Sequence, residues 1–141
     1  MADHVATADV EIAASATRVW TALTDPVEIK TYFFGTDVET DWKPGSVIVW
    51  RGEYEGSAYE DKGEIVEVEP GRRLKMTHFS PMTGQADEPE NYHTLTYDLT
   101  EQGAITHVSL SQDNNPDEKS KSHSEKNWTA MLDGLKKYVE Q

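Results

Sequence analysis

Five histidines, His4, His78, His93, His107 and His123, are the side chains of this chain best suited to proton transfer near neutral pH. An imidazole inside a pocket can hydrogen-bond a ligand carbonyl or act as a general base. None of the five stands four residues from another, and none has a second ligand at metal spacing, so no metal site is expected. His78 and His93 fall in the runs "RRLKMTHFS" and "NYHTLTYDLT", on the same parity as Met76, Leu95 and Tyr97, so both are expected to project into the space that this face covers. The plainer alternative for each is a core or rim histidine bonded to a polar neighbour. His107 falls on the opposite face and is expected to be solvated.

Other chemistry finds little support. Carboxylates crowd "EYEGSAYEDKGE" and "QADEPENY", where they alternate with polar residues and read as solvated surface rather than a buried acid–base pair. There is no cysteine, hence no disulfide, thiolate metal site or thiol nucleophile. No G-x-S-x-G elbow, P-loop, G-x-G-x-x-G or H-E-x-x-H occurs, so no cofactor is expected and no catalytic residue is assigned. Of the arginines, only Arg51 lies near the expected pocket, and its parity points it away.

The elements that must position the histidines follow from hydrophobic period. "TADVEI" alternates, with Ala8, Val10 and Ile12 on one side and Asp9 and Glu11 on the other, as in a half-buried first strand. Ser15 can cap a helix whose Ala16, Val19, Trp20 and Leu23 recur at helical spacing. Asp25-Pro26 ends that helix and starts a second, because Asp25 can accept from free N–H groups and proline suits a first helical position. From Gly35 to Gln112 the period becomes two, in short runs joined mostly by tight connections, so antiparallel neighbours are expected.

Parity then sorts the covered face: Ile48 with Trp50; Leu74 with Met76 and His78; His93 with Leu95 and Tyr97; Val108 with Leu110. "MTGQADEPEN" and "DNNPDEKSKSHSEKN" are longer than hairpins need and read as mobile rims, the second ending in a Ser122-x-x-Glu125 capping box. In the helix expected after it, Trp128, Met131, Leu132, Leu135 and Val139 form one stripe. At about 1.5–3 kcal/mol for each fully buried side chain, that stripe holds the helix on the sheet. A curved sheet cannot pack flush along a straight helix, so a pocket is expected between them. Trp50, Tyr97 and Trp128 suit its walls, with Met76 and Met131 as adaptable contacts, although the same residue types also fill cores.

Composition narrows the partners. Asp and Glu number 26 against 13 Lys and Arg, a formal charge of −13 that repels nucleic acid and anionic lipid alike, so neither nucleic acid nor a membrane is an expected partner. No run approaches the roughly 18 apolar residues of a membrane span, and the first residues do not read as a secretory signal, so a cytoplasmic location is expected.

"RVWTALTDPVEIKTYF", "WKPGSVIVW", "GEIVEVEPGRRLKMT" and "NWTAMLDGLKKYVEQ", in this order, resemble the activator-of-Hsp90-ATPase-homologue group of the START-like (SRPBCC, helix-grip) superfamily. The resemblance runs from about Val10 to Val139. It implies one α+β helix-grip domain over residues 1–141: a curved antiparallel sheet of about seven strands, two short helices near the start and a long C-terminal helix gripped by the sheet. It also implies a small hydrophobic or amphipathic ligand, for which the parity of the covered face and the stripe of the last helix give Ile48, Trp50, Met76, His78, His93, Leu95, Tyr97, Trp128 and Met131 as expected contacts. A chaperone partner ranks second, since the eukaryotic activators resemble this chain only in their C-terminal domain, and their ATPase-stimulating N-terminal domain has no counterpart in these residues. A cyclase- or hydratase-like enzyme with His78 or His93 as base ranks third.

Overall fold

The computed structural model describes residues 4–54, 56–80 and 86–141. Residues 82–85 of the expected "MTGQADEPEN" rim lie outside the described residues. The order of elements is β1 (His4–Ile12), α1 (Ala16–Thr24), α2 (Pro26–Tyr32), β2 (Asp37–Glu39), β3 (Val47–Tyr54), β4 (Ser57–Glu69), β5 (Arg73–His78), β6 (His93–Gln102), β7 (Ile105–Asn115) and α3 (Glu118–Val139). Seven strands form one antiparallel sheet in the order β1-β7-β6-β5-β4-β3-β2, as the helix-grip resemblance implies.

The expected hinge is present and its cause is local. Ser15 Oγ accepts from Arg18 N at 3.1 Å and starts α1, while Asp25 Oδ1 accepts from Val27 N at 2.9 Å with Pro26 at the first position of α2. Tyr32 locks the two helices by donating its hydroxyl to the buried Ala22 carbonyl at 2.9 Å. Glu28, its side chain only 14% exposed, receives Arg18 at 2.7 Å and the Tyr138 hydroxyl at 2.9 Å, tying α1, α2 and α3 together.

Three elements differ from the sequence reading. The polar stretch after β7 is not a rim loop: β7 runs on to Asn115, and α3 begins at Glu118 with Asp117 accepting from Ser120 N at 2.8 Å. Asp117 follows Pro116, which ends the strand pairing, and it caps as well as Ser122 would, so the helix gains an exposed polar first half. β4 begins at Ser57, so most of the acidic run "EYEGSAYEDKGE" is paired strand, with Arg51 opposite Glu60 and Trp50 opposite Asp61. The three-residue β2 carries too short a pattern to be read by period.

The core lies between the covered face of the sheet and the helices. Ile48, Leu74, Met76, Leu95, Val108 and Leu110 meet Val19 and Leu23 of α1 and Met131, Leu132 and Leu135 of α3, all buried. α3 does not lie over the middle of the sheet; its main neighbour is the edge strand β1. Glu125 accepts from Thr7 N at 3.0 Å, Glu140 from Ala13 N at 2.8 Å, and Lys136 donates to Glu11 O at 2.9 Å. These side chains occupy backbone groups of an open edge that would otherwise invite another strand.

Gly63 sits where β4 leaves β3 alone and joins β5, and a Cβ there would stand 1.8 Å from the Thr77 carbonyl oxygen. Gly63→Ala should therefore force β4 and β5 apart and cost about 1–3 kcal/mol or more, as overpacking does. Urea unfolding measures this: a lower midpoint is expected, and an unchanged one contradicts the close approach.

Candidate binding cavity

A cavity of about 690 Å³ opens where α3, held over β1, leaves the β3–β6 part of the covered face bare. Its roof is aromatic. Phe33 ends α2 and meets Trp128 of α3 edge to face at 6.0 Å, and Phe34 meets Phe33 the same way at 5.8 Å. Phe34 takes a positive φ of 53° that swings the chain from α2 toward β2, and it stays 64% exposed at the mouth. The floor is Leu95 and Tyr97 of β6, inward by strand parity, with Trp50 from β3 as a side wall. Trp128 Nε1–H donates to Gln112 Oε1 of β7, which satisfies the indole, and the Thr36 and Tyr59 hydroxyls share a bond of 2.8 Å.

One corner is polar. His78 Nε2 lies 2.9 Å from Asp61 Oδ2, the two side chains being 17% and 16% exposed. A carboxylate oxygen can only accept, so His78 donates from Nε2 and, in the neutral ring, Nδ1 keeps its lone pair. His78 Nδ1 and Asp61 Oδ1 are both buried and have no hydrogen-bond partner among the described residues. Leaving a buried polar atom unsatisfied costs about 1–3 kcal/mol, so nothing in packing alone favours this pair. The imidazole of His78 meets Trp50 edge to face at 5.0 Å and stacks on His93 at 6.0 Å, its partner across β5 and β6.

His93 differs from His78 in role. Its Nδ1 donates to the Asp113 carbonyl at 2.8 Å. Burial holds its basicity below the usual histidine range, the Asp113 carbonyl opposes this, and the facing His78 adds to the lowering. Burial also pushes the Tyr97 phenol far above its ordinary range, so it stays protonated.

The expected contacts thus separate. Trp50, His78, Leu95, Tyr97 and Trp128 come together on the cavity wall. His93 stands behind His78 rather than on the wall. Ile48 and Met76 lie deeper, beside a void of about 20 Å³ that Leu23, Ile29 and Tyr32 close from the hinge. Met131 is fully buried core and does not line the cavity. Parity identifies the covered face but not the depth at which the helices fill it, which is why these residues were expected on the wall. The sequence reading missed Asp61, Phe33 and Phe34. The alternation of Tyr59, Asp61 and Ile65, all turned inward, is the signal that places Asp61 inside. Among the described residues no group of three or more His, Asp or Glu side chains could hold a metal ion, and no helix is long and apolar enough to cross a membrane.

The model of the family described as Activator of Hsp90 ATPase homolog 1-like protein matches residues 13–140. The solution structure of ChR145 from Cytophaga hutchinsonii is similar at 51% identity and a TM-score of 0.84, over 96% of this chain and 93% of that one. The Aha1 dimer from Colwellia psychrerythraea aligns at 19% identity and a TM-score of 0.76, over 96% of both chains. CalU16 from Micromonospora echinospora aligns at 20% identity and 0.72, over 98% of this chain and 85% of that one. The last two likenesses speak for the fold alone. No curated protein matches the chain.

The lowered basicity of His93 makes stability depend on pH. The unfolded chain takes up the proton that folded His93 resists, so its contribution to stability is full above the ordinary histidine range and falls as pH drops through it. Thermal unfolding followed from about pH 8 to about pH 5.5 should show a falling midpoint, and His93→Gln should flatten the fall. An identical slope in the variant contradicts the assignment.

Proposed function

This chain belongs to the Activator of Hsp90 ATPase homolog 1-like protein family, and from that premise we propose that it binds a small hydrophobic or amphipathic molecule between the sheet and α3, in the cytoplasm. The observation that carries the reading is the cavity itself: about 690 Å³, within the usual range for small-molecule sites, walled by aromatic side chains and closed at one corner by the Asp61–His78 pair. The apolar wall supplies affinity through buried area, and the polar corner supplies orientation. His78, Trp50, Leu95, Tyr97 and Trp128 are the contacts retained from the sequence, joined by Phe33, Phe34 and Asp61.

The family description names activation of the Hsp90 ATPase, which supports a chaperone partner as a second reading; the cavity supports ligand binding as the first.

N-phenyl-1-naphthylamine, an uncharged probe that fluoresces when it leaves water, should bind saturably and one to one. Ala130→Trp puts an indole into the cavity from an exposed position of α3, at little risk to folding, and Leu95→Trp fills the floor. Each should weaken the probe by at least about tenfold, a change of about 1.4 kcal/mol. Thr100→Ala, exposed near the far end of β6, should change nothing. Absence of saturable binding, or equal affinity in Ala130→Trp, contradicts the reading.

A further inference from the structure

The described cavity wall holds two carboxylates, Glu53 and Asp61, and no lysine or arginine. The residues outside the description, 1–3, 55 and 81–85, include no lysine or arginine either. Nearby cations are engaged elsewhere. Arg51 beside Trp50 points to the outer face and bonds Glu39 at 2.8 Å and Glu60 at 2.7 Å, and Lys62 beside Asp61 pairs with Asp87. Of the wall histidines, His78 is already engaged with Asp61 through Nε2, and His123 lies exposed. Asp61 Oδ1, buried and without a hydrogen-bond partner among the described residues, can only accept as a carboxylate oxygen. A low-dielectric pocket strengthens every such charge, and a net charge of −13 on the chain adds to its field.

We propose that the cavity selects its ligand by head-group charge, taking an amphipathic molecule whose polar end is a hydrogen-bond donor without negative charge, a hydroxyl or an ammonium, and rejecting the matching carboxylate or phosphate. The inference rests on the binding reading and sharpens it. An incoming donor meets the unsatisfied Oδ1 of Asp61. An incoming carboxylate meets carboxylates at Asp61 and again at Glu53, with no lysine or arginine on the described wall to compensate it. The cavity is thereby set apart from sites that hold fatty acids or phosphorylated ligands through arginine or lysine.

The test compares 1-dodecanol, dodecylammonium and dodecanoate, one chain with three head groups, as displacers of N-phenyl-1-naphthylamine at about pH 8.5, above the ordinary histidine range. Dodecanol and dodecylammonium should displace the probe, and dodecanoate should be at least about tenfold weaker. Glu53→Gln, at an exposed position, should narrow that gap without touching the fold, and Glu53→Gln with Asp61→Asn should close most of it. Dodecanoate displacing as well as dodecanol, or an unchanged gap in the double variant, overturns the inference. Binding of the naphthylamine with no displacement by any alkyl probe overturns head-group selection and leaves the binding reading intact. Failure of the naphthylamine itself overturns both.

Discussion

The structure depends on where α3 is held. Met131, Leu132 and Leu135 press into the core, while Glu125, Lys136 and Glu140 reach backbone groups along the open edge of β1. A helix fixed along one edge of a seven-stranded sheet cannot also cover the other half of that face. The hinged α1–α2 pair fills part of the remainder, because Tyr32, Ile29 and Leu23 pack down beside Ile48 and Met76. The cavity is what neither covers.

The same constraint explains the polar corner. Where β4 and β5 line the cavity, inward positions need not be apolar, because α3 is held over β1. Asp61 and His78 stand there, facing each other across β4 and β5 at a bond of 2.9 Å. The stacked His93 is tied to backbone, and burial lowers its basicity, so two imidazoles can share one patch of the sheet. The aromatic roof made by Phe33 and Trp128 joins the end of α2 to α3, so the ring contacts that close the cavity also connect two helices.

Much of this was legible in the sequence. Period two with consistent parity predicted the covered face from Ile48 through Leu110, and the caps at Ser15 and Asp25 predicted the hinge, because both signals are local and steric. Depth was not legible. Ile48, Met76 and Met131 share a face or stripe with true wall residues, and only the lateral placement of α3 separates filled from unfilled space. Asp61 was hidden by its acidic neighbours, since composition averages over the alternation that turns one carboxylate inward. The start of α3 was misread because a polar half-helix, exposed on most sides, carries no apolar stripe to announce it.

This space should stay open in solution and receive a guest. The most direct measurement is crystallographic density from protein purified without detergent or organic solvent. An open volume near 690 Å³ is expected, with non-protein density lying against Trp50 and Trp128. A structure with the Trp128 indole folded down onto Trp50 and His78, and the volume closed by side chains, would contradict it.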